Sequence, residues 1–166
     1  RACNEEFYII LINTKNIQMK PSILFCSCGR RGRLLRNAQE SIGEKCTIVA
    51  TDNNSTAPAL SFASKEYVVP RIDTPDYMDI IINICKENNV KAITTLIDPE
   101  IELLSRNRER LLEAGILPLC PADDITARCC FDKYEMFKYC KSQGIPTPLT
   151  FHDWDEFVKA VDAGEI

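Results

Sequence analysis

The chain has 166 residues, 45% of them hydrophobic and 27% charged, which suits one domain of ordinary size and leaves no room for a second complete one. A formal net charge of -4 and a pI near 5.1 argue against a nucleic-acid surface, which needs a basic stripe, and no stretch reaches the ~20 apolar residues of a membrane span. The nine cysteines are odd in number, include the adjacent Cys129 and Cys130, and mostly sit inside apolar runs, so they read as reduced thiols of a cytoplasmic protein rather than a disulfide framework.

The first 18 residues contain a short apolar run over 7–12, but Glu5 and Glu6 precede it and no small-residue cleavage site follows, so it makes a poor signal peptide. Met19, followed by Lys20 and Pro21, reads as a natural start. Residues 1–18 are expected to be an extension, either upstream sequence or one introduced with the expressed chain; the alternative is an additional edge strand over 6–13.

From there apolar runs and helical patterns alternate. The run over 22–28 predicts a first strand, and Leu34, Leu35, Ala38 and Ile42 recur at helical spacing over 31–42, ending at Gly43. A second strand is expected over 46–51, with the polar cluster Asp52, Asn53, Asn54 and Ser55 at its carboxyl end. A short helix over 57–64 and a brief third strand over 66–69 follow. Residues 75–88 place Tyr77, Ile80, Ile81 and Ile84 on one helical face; 91–97 form the fourth strand, ending in Asp98, Pro99 and Glu100. A single helix is expected from about 99 to 114, with Pro at its start and Gly115 past its end. A fifth strand over 117–120 and a short helix over 123–130 complete this series.

The most fully specified helix comes next. Asp132 is expected to cap it, with Glu135 reaching back to the cap's N–H in a capping box and Phe131 packing on Met136. Gly144, Ile145 and Pro146 supply the stop signal. Lys133 is out of place there, because a cation in a first turn is opposed by the helix dipole unless an anion lies close. A short strand over 149–151 and a helix over 153–163 end the sequence. Strands alternating with helices imply an α/β fold, a Rossmann-like open parallel sheet with helices on both faces and right-handed crossovers.

Candidate site residues fall at the carboxyl ends of strands, where such sheets bind ligands. The loop containing Gly29, Arg30, Arg31 and Gly32 offers backbone N–H groups and two guanidinium groups to a phosphate or carboxylate; the alternative is a tight turn with solvated arginines. Asp52 stands where a dinucleotide fold keeps a ribose-binding acid, although GxGxxG is lacking. Asp98 and Glu100 are either substrate-orienting carboxylates or a helix cap and a first-turn anion. Cys26 and Cys28 share a strand face by alternation. A metal site there is not expected, since there is no CxxC and His152 is the single histidine.

The succession ILFCSCGRRGRLL, IVATDNNSTAPALSFA, YVVPRIDTPDY, TLIDPEIELLSRNRERL and CFDKYEMFKYCKSQGIPTP resembles the amino-terminal part of ATP-grasp proteins similar to the carbamoyl-phosphate synthase large subunit. The resemblance implies a pre-ATP-grasp Rossmann-like domain over 19–121 and the start of a truncated ATP-grasp domain over 122–166. It implies that Lys133 contacts ATP phosphates, and that Gly29, Arg30, Arg31, Asp98 and Glu100 face the substrate side. The reaction implied uses ATP and Mg²⁺ to convert a small-molecule carboxylate into an acyl phosphate, which an amine or other nucleophile then attacks.

The second lysine, glycine-rich flap, adenine-contacting strand and Mg²⁺ ligands of that family lie downstream of Ile166. The chain is therefore expected to be an amino-terminal fragment, inactive and without tight nucleotide binding until joined by the remaining ATP-grasp domain. The readings from other classes are a nucleotide-binding module of a split system, an NAD-binding Rossmann domain and an interaction domain. A homo-oligomer is compatible with all of them.

Overall fold

Five short apolar strands assemble side by side in the computed structural model, which describes residues 20–166. The extension expected over 1–18, and its alternative as a strand over 6–13, lie outside the described residues. The strands are β1 (Ser22–Cys26), β2 (Thr47–Asp52), β3 (Lys65–Val68), β4 (Val90–Thr95) and β5 (Leu117–Pro118). All pairings are parallel, in the order β3-β2-β1-β4-β5. This is the Rossmann-like α/β sheet expected from the alternation.

The helices are α1 (Gly32–Ile42), α2 (Tyr77–Glu87), α3 (Asp98–Arg106), α4 (Arg108–Glu113), α5 (Asp124–Phe131), α6 (Lys133–Ser142) and α7 (Trp154–Asp162). They divide between the two faces because strand side chains alternate. On one face Leu24, Val49 and Ile93 pack with Ile81 of α2, Leu104 of α3 and Leu111 of α4. On the other, Ile48 and Ala50 pack with Leu35 of α1 and with Leu60. Central β1 therefore has a core on both sides, as a parallel sheet requires.

Four local expectations are corrected. The helix expected over 99–114 is two helices, α3 and α4, divided at Asn107. There the side-chain amide donates to the Leu103 carbonyl at 2.9 Å and its oxygen accepts from Arg110 Nη1 at 2.8 Å, so the side chain competes with the helical ladder. The helix expected over 57–64 is a single 3₁₀ turn, Leu60–Phe62. Residues 149–151 form no strand, and no described strand pairs with them. Cys26 and Cys28 do not share a face: Ser27 adopts a φ of 50°, which ends β1 and turns Cys28 into the opposite core from Cys26.

The helices after β5 are built differently from those before it. None of α1–α4 has a side-chain cap bond; α5, α6 and α7 each have an aspartate cap. Asp123 accepts from the Thr126 N–H, Asp132 from those of Tyr134 and Glu135, and Asp153 from those of Asp155 and Glu156. The capping box at α6 is only half formed, because the Asp132 N–H already donates to the Arg128 carbonyl of α5 at 3.0 Å and Glu135 pairs with Lys138 at 2.6 Å. Gly144 has the left-handed φ of 67° expected of the stop, and the Ile145 N–H donates to the Cys140 carbonyl at 2.9 Å. Core burial is sparse: α6 has no buried residue and α7 buries only Ala160. Trp154, 73% exposed, leans on Phe157 with ring centroids 5.2 Å apart.

The caps make this part acid-sensitive. Backbone N–H bonds hold the Asp123 and Asp132 carboxyls below the ordinary aspartate range. A depressed folded value contributes stability above the unfolded value of about 3.9, and that contribution is lost as pH falls through the folded value. On acidification below about pH 4, the protection of amides in α5 and α6 against exchange is expected to fall before that of amides in β1 and β2. An Asp132→Ala variant should show the lower α6 protection already at pH 7, as measured by NMR.

Candidate functional site

The carboxyl ends of β1 to β4 surround a cleft of about 880 Å³, next to the switch in strand order where open α/β sheets bind ligands. The turn from β1 into α1 forms one wall. It is pinned by four backbone contacts: Cys28 N–H to the Thr51 carbonyl at 3.2 Å, Arg31 N–H to Cys28 at 3.0 Å, Ala59 N–H to Gly29 at 3.1 Å, and Gly29 N–H to Asp52 Oδ2 at 2.6 Å. Gly29 has a φ of 51°, a conformation that glycine adopts without steric cost.

Arg30 and Arg31 project from this turn into the cleft and are exposed. Arg31 folds back over the glycine, with Nη1 only 3.7 Å from the position a Gly29 Cβ would take. Among the described residues neither arginine has an ion-pair partner. Arg71, which the sequence reading did not single out, lines the cleft after β3 and is paired with Asp73 at 3.3 Å. The pocket therefore offers positive charge at its rim and apolar surface from Val69, Ile72 and Ile97 within.

Asp52 is buried, and each of its oxygens already serves a backbone amide: Oδ2 that of Gly29 and Oδ1 that of Asn54 at 2.9 Å. Its work is to hold the β1–α1 turn against the end of β2. The second glycine of the Gly-x-x-Gly spacing has a packing role, since a Cβ on Gly32 would lie 2.5 Å from ring carbons of Phe62.

Glu100 lies beneath the cleft, wholly buried and outside the lining. Ser27 Oγ donates to Oε2 at 2.7 Å, Thr95 Oγ1 donates to the same oxygen, and the Tyr77 hydroxyl donates to Oε1. Tyr77 stays protonated, its hydroxyl pushed far up by burial and then by the neighbouring Cys26 and Glu100. Burial likewise raises the Cys26 thiol well above its ordinary range and pushes Cys28 up to about 12, so both are protonated at neutral pH and poor nucleophiles. Among the described residues no group of three His, Cys, Asp or Glu side chains is placed to hold a metal, and no helix is long and apolar enough to cross a membrane.

Asp98 and Lys133 come together elsewhere, in a small pocket of about 140 Å³ lined also by Cys130 and Phe131. Asp98 is the exposed first residue of α3 and makes no cap bond. Lys133 opens α6, and among the described residues its Nζ hydrogen-bonds the Phe131 carbonyl alone, at 3.4 Å.

The family model described as "PylC-like, N-terminal domain" matches residues 23–119, from β1 through β5. The chain belongs to the PylC-like N-terminal domain family. No curated protein matches it. Solved structures similar to this PylC-like chain include N5-carboxyaminoimidazole ribonucleotide synthetase from Thermotoga maritima, at 19% identity and a TM-score of 0.56, covering 85% of this chain and 36% of that one. The Staphylococcus aureus N5-carboxyaminoimidazole synthetase, solved with ADP, gives 13% identity and a TM-score of 0.57, with 85% and 35% covered. An L-amino acid ligase from Bacillus licheniformis gives 19% and 0.58, with 82% and 34% covered.

The PylC-like chain thus spans about a third of the length of these proteins and shares the fold of ATP-grasp amino-terminal domains. The family shown is PylC-like; the narrower likeness to carbamoyl-phosphate synthase is not among these matches.

If Asp52 holds the turn, removing its carboxylate should leave two backbone amides without their acceptor. Asp52→Ala is expected to lower stability by about 2–3 kcal/mol, the scale of charge-assisted hydrogen bonds. Asp52→Asn, which keeps one acceptor oxygen, should lose less. Urea unfolding followed by circular dichroism measures both.

Proposed function

We propose that this chain is the amino-terminal portion of an ATP-grasp carboxylate–amine ligase, which forms an acyl phosphate from a small carboxylate and ATP. The family match across β1–β5, together with an arginine-rimmed cleft at the carboxyl edge of the sheet, supports the reading. Arg30 and Arg31, exposed and without acidic partners, would hold the substrate's carboxylate through charge-assisted hydrogen bonds. Gly29 lets the chain turn so that both arginines reach the cleft. Residues 19–121 would form the substrate-side domain, and 122–166 the start of the nucleotide-binding domain that the rest of the full-length protein completes.

The residues fit the phosphate side of a nucleotide. Lys133 stands in the first turn of α6 with no carboxylate partner, and a phosphate beside it would offset the unfavourable helix dipole. Asp98 in the same pocket would orient the lysine or the incoming substrate. Mg²⁺ would take its ligands from beyond the described residues. ATP, when bound, supplies the phosphoryl group that activates the carboxylate; this chain's residues contribute positioning and charge. Reduced thiols throughout the described residues suit a cytoplasmic setting.

In the full-length protein, Arg31→Ala is expected to raise KM for the carboxylate about ten- to hundredfold, the range for loss of a charged hydrogen bond. Lys133→Ala should instead weaken ATP binding, with the circular dichroism spectrum unchanged. Carboxylate-dependent ADP release is the assay. The reading fails if the full-length protein releases no ADP with any of a panel of carboxylates and amines.

A further inference from the structure

A place in the first turn of α3 does not account for the burial of Glu100, and the residue does not line the cleft. It is wholly buried, and every donor to it is a neutral hydroxyl: Ser27, Thr95 and Tyr77. Among the described residues no lysine or arginine pairs with it. A buried carboxyl group is costly unless its oxygens are satisfied, and four apolar side chains could fill the same space more cheaply. The arrangement must therefore do something that apolar packing would not.

What it does is visible in where its partners lie. Ser27 and Tyr77 both line the cleft, whereas Glu100 does not. Ser27 belongs to the β1–α1 turn and has a left-handed φ of 50°, a costly conformation for a residue other than glycine. Tyr77 begins α2, on the side of the cleft reached after β3. One carboxyl group thus joins two cleft walls that come from different parts of the chain, with Thr95 at the end of β4 anchoring it to the sheet.

We propose that Glu100 is a positioning residue that fixes the spacing between the Ser27 and Tyr77 walls and thereby places Arg30 and Arg31 over the cleft. A hydroxyl-only shell suits this task, because three donors converge on an acceptor without a competing cation to pull the carboxyl group aside. The effect on substrate binding rests on the ligase reading; the effect on the turn does not.

Two measurements keep these separate. In the 166-residue chain, amide hydrogen exchange of Gly29 reads the turn and that of Val49 reads the core. Glu100→Ala and Ser27→Ala should each accelerate Gly29 exchange tenfold or more while Val49 exchange changes less than twofold, and Glu100→Gln, which still accepts, should lie between. Ser27→Ala removes one hydroxyl and is the decisive variant if Glu100→Ala does not fold. In the full-length protein, Ser27→Ala and Glu100→Gln should raise carboxylate KM about tenfold with kcat within twofold, which a purely structural loss would not do.

Unchanged Gly29 exchange in Ser27→Ala overturns the proposal, as does Gly29 and Val49 exchange rising together in every variant. Altered Gly29 exchange in a full-length protein that shows no carboxylate-dependent ADP release overturns the ligase reading alone and leaves Glu100 as the residue that positions the turn.

Discussion

The passage from β1 to α1 reverses the chain between Ser27 and Arg31, and the architecture at this end of the sheet depends on how that reversal is held. Two residues take left-handed backbone angles there, only one of them a glycine. Apart from Cys28, which is buried in the core beside α1, the residues of the turn are exposed or half-exposed and have little apolar packing to hold them. The turn is held from below by two buried acidic side chains, Asp52 on the Gly29 amide and Glu100 on the Ser27 hydroxyl. Asp52 ends β2, and Glu100 of α3 is bonded to Thr95 at the end of β4, so both anchors are tied to central strands, which, packed on both faces, are the least movable part of the molecule.

A different economy governs the chain after β5. There the helices are short, begin with aspartate caps and bury little. Short helices are marginal on their own, so local capping replaces core contacts as the source of order. Ile125, Tyr139 and Leu149 remain exposed.

Most of the sheet was legible in the sequence because parallel strands buried on both faces appear as continuous apolar runs. β1 to β4 fall where those runs lie, and the Gly144 stop is carried by residues adjacent in sequence. The failures are non-local. Asn107 looked like an ordinary helix residue until its amide was seen to bond Leu103 and Arg110. Glu100 does stand in the first turn of α3, as Asp98 and Pro99 announce; what was not legible is its burial and its partners. Its Ser27 and Tyr77 donors lie 73 and 23 residues away, so no local pattern could have joined them. The one available signal was polar: Ser27 directly follows β1 and Thr95 closes β4, and a half-buried hydroxyl at a strand end needs a partner.

Trp154 gives this division an experimental consequence. It is the chain's single tryptophan, and it sits at the exposed start of α7, in contact with Phe157 rather than with the sheet. Its emission therefore reports on the capped helices and is blind to the core around β1. Fluorescence and far-ultraviolet dichroism will follow different events in this molecule, and a denaturation curve drawn from tryptophan alone will describe its least buried part. Agreement between the two probes would be the usual sign of a single cooperative transition.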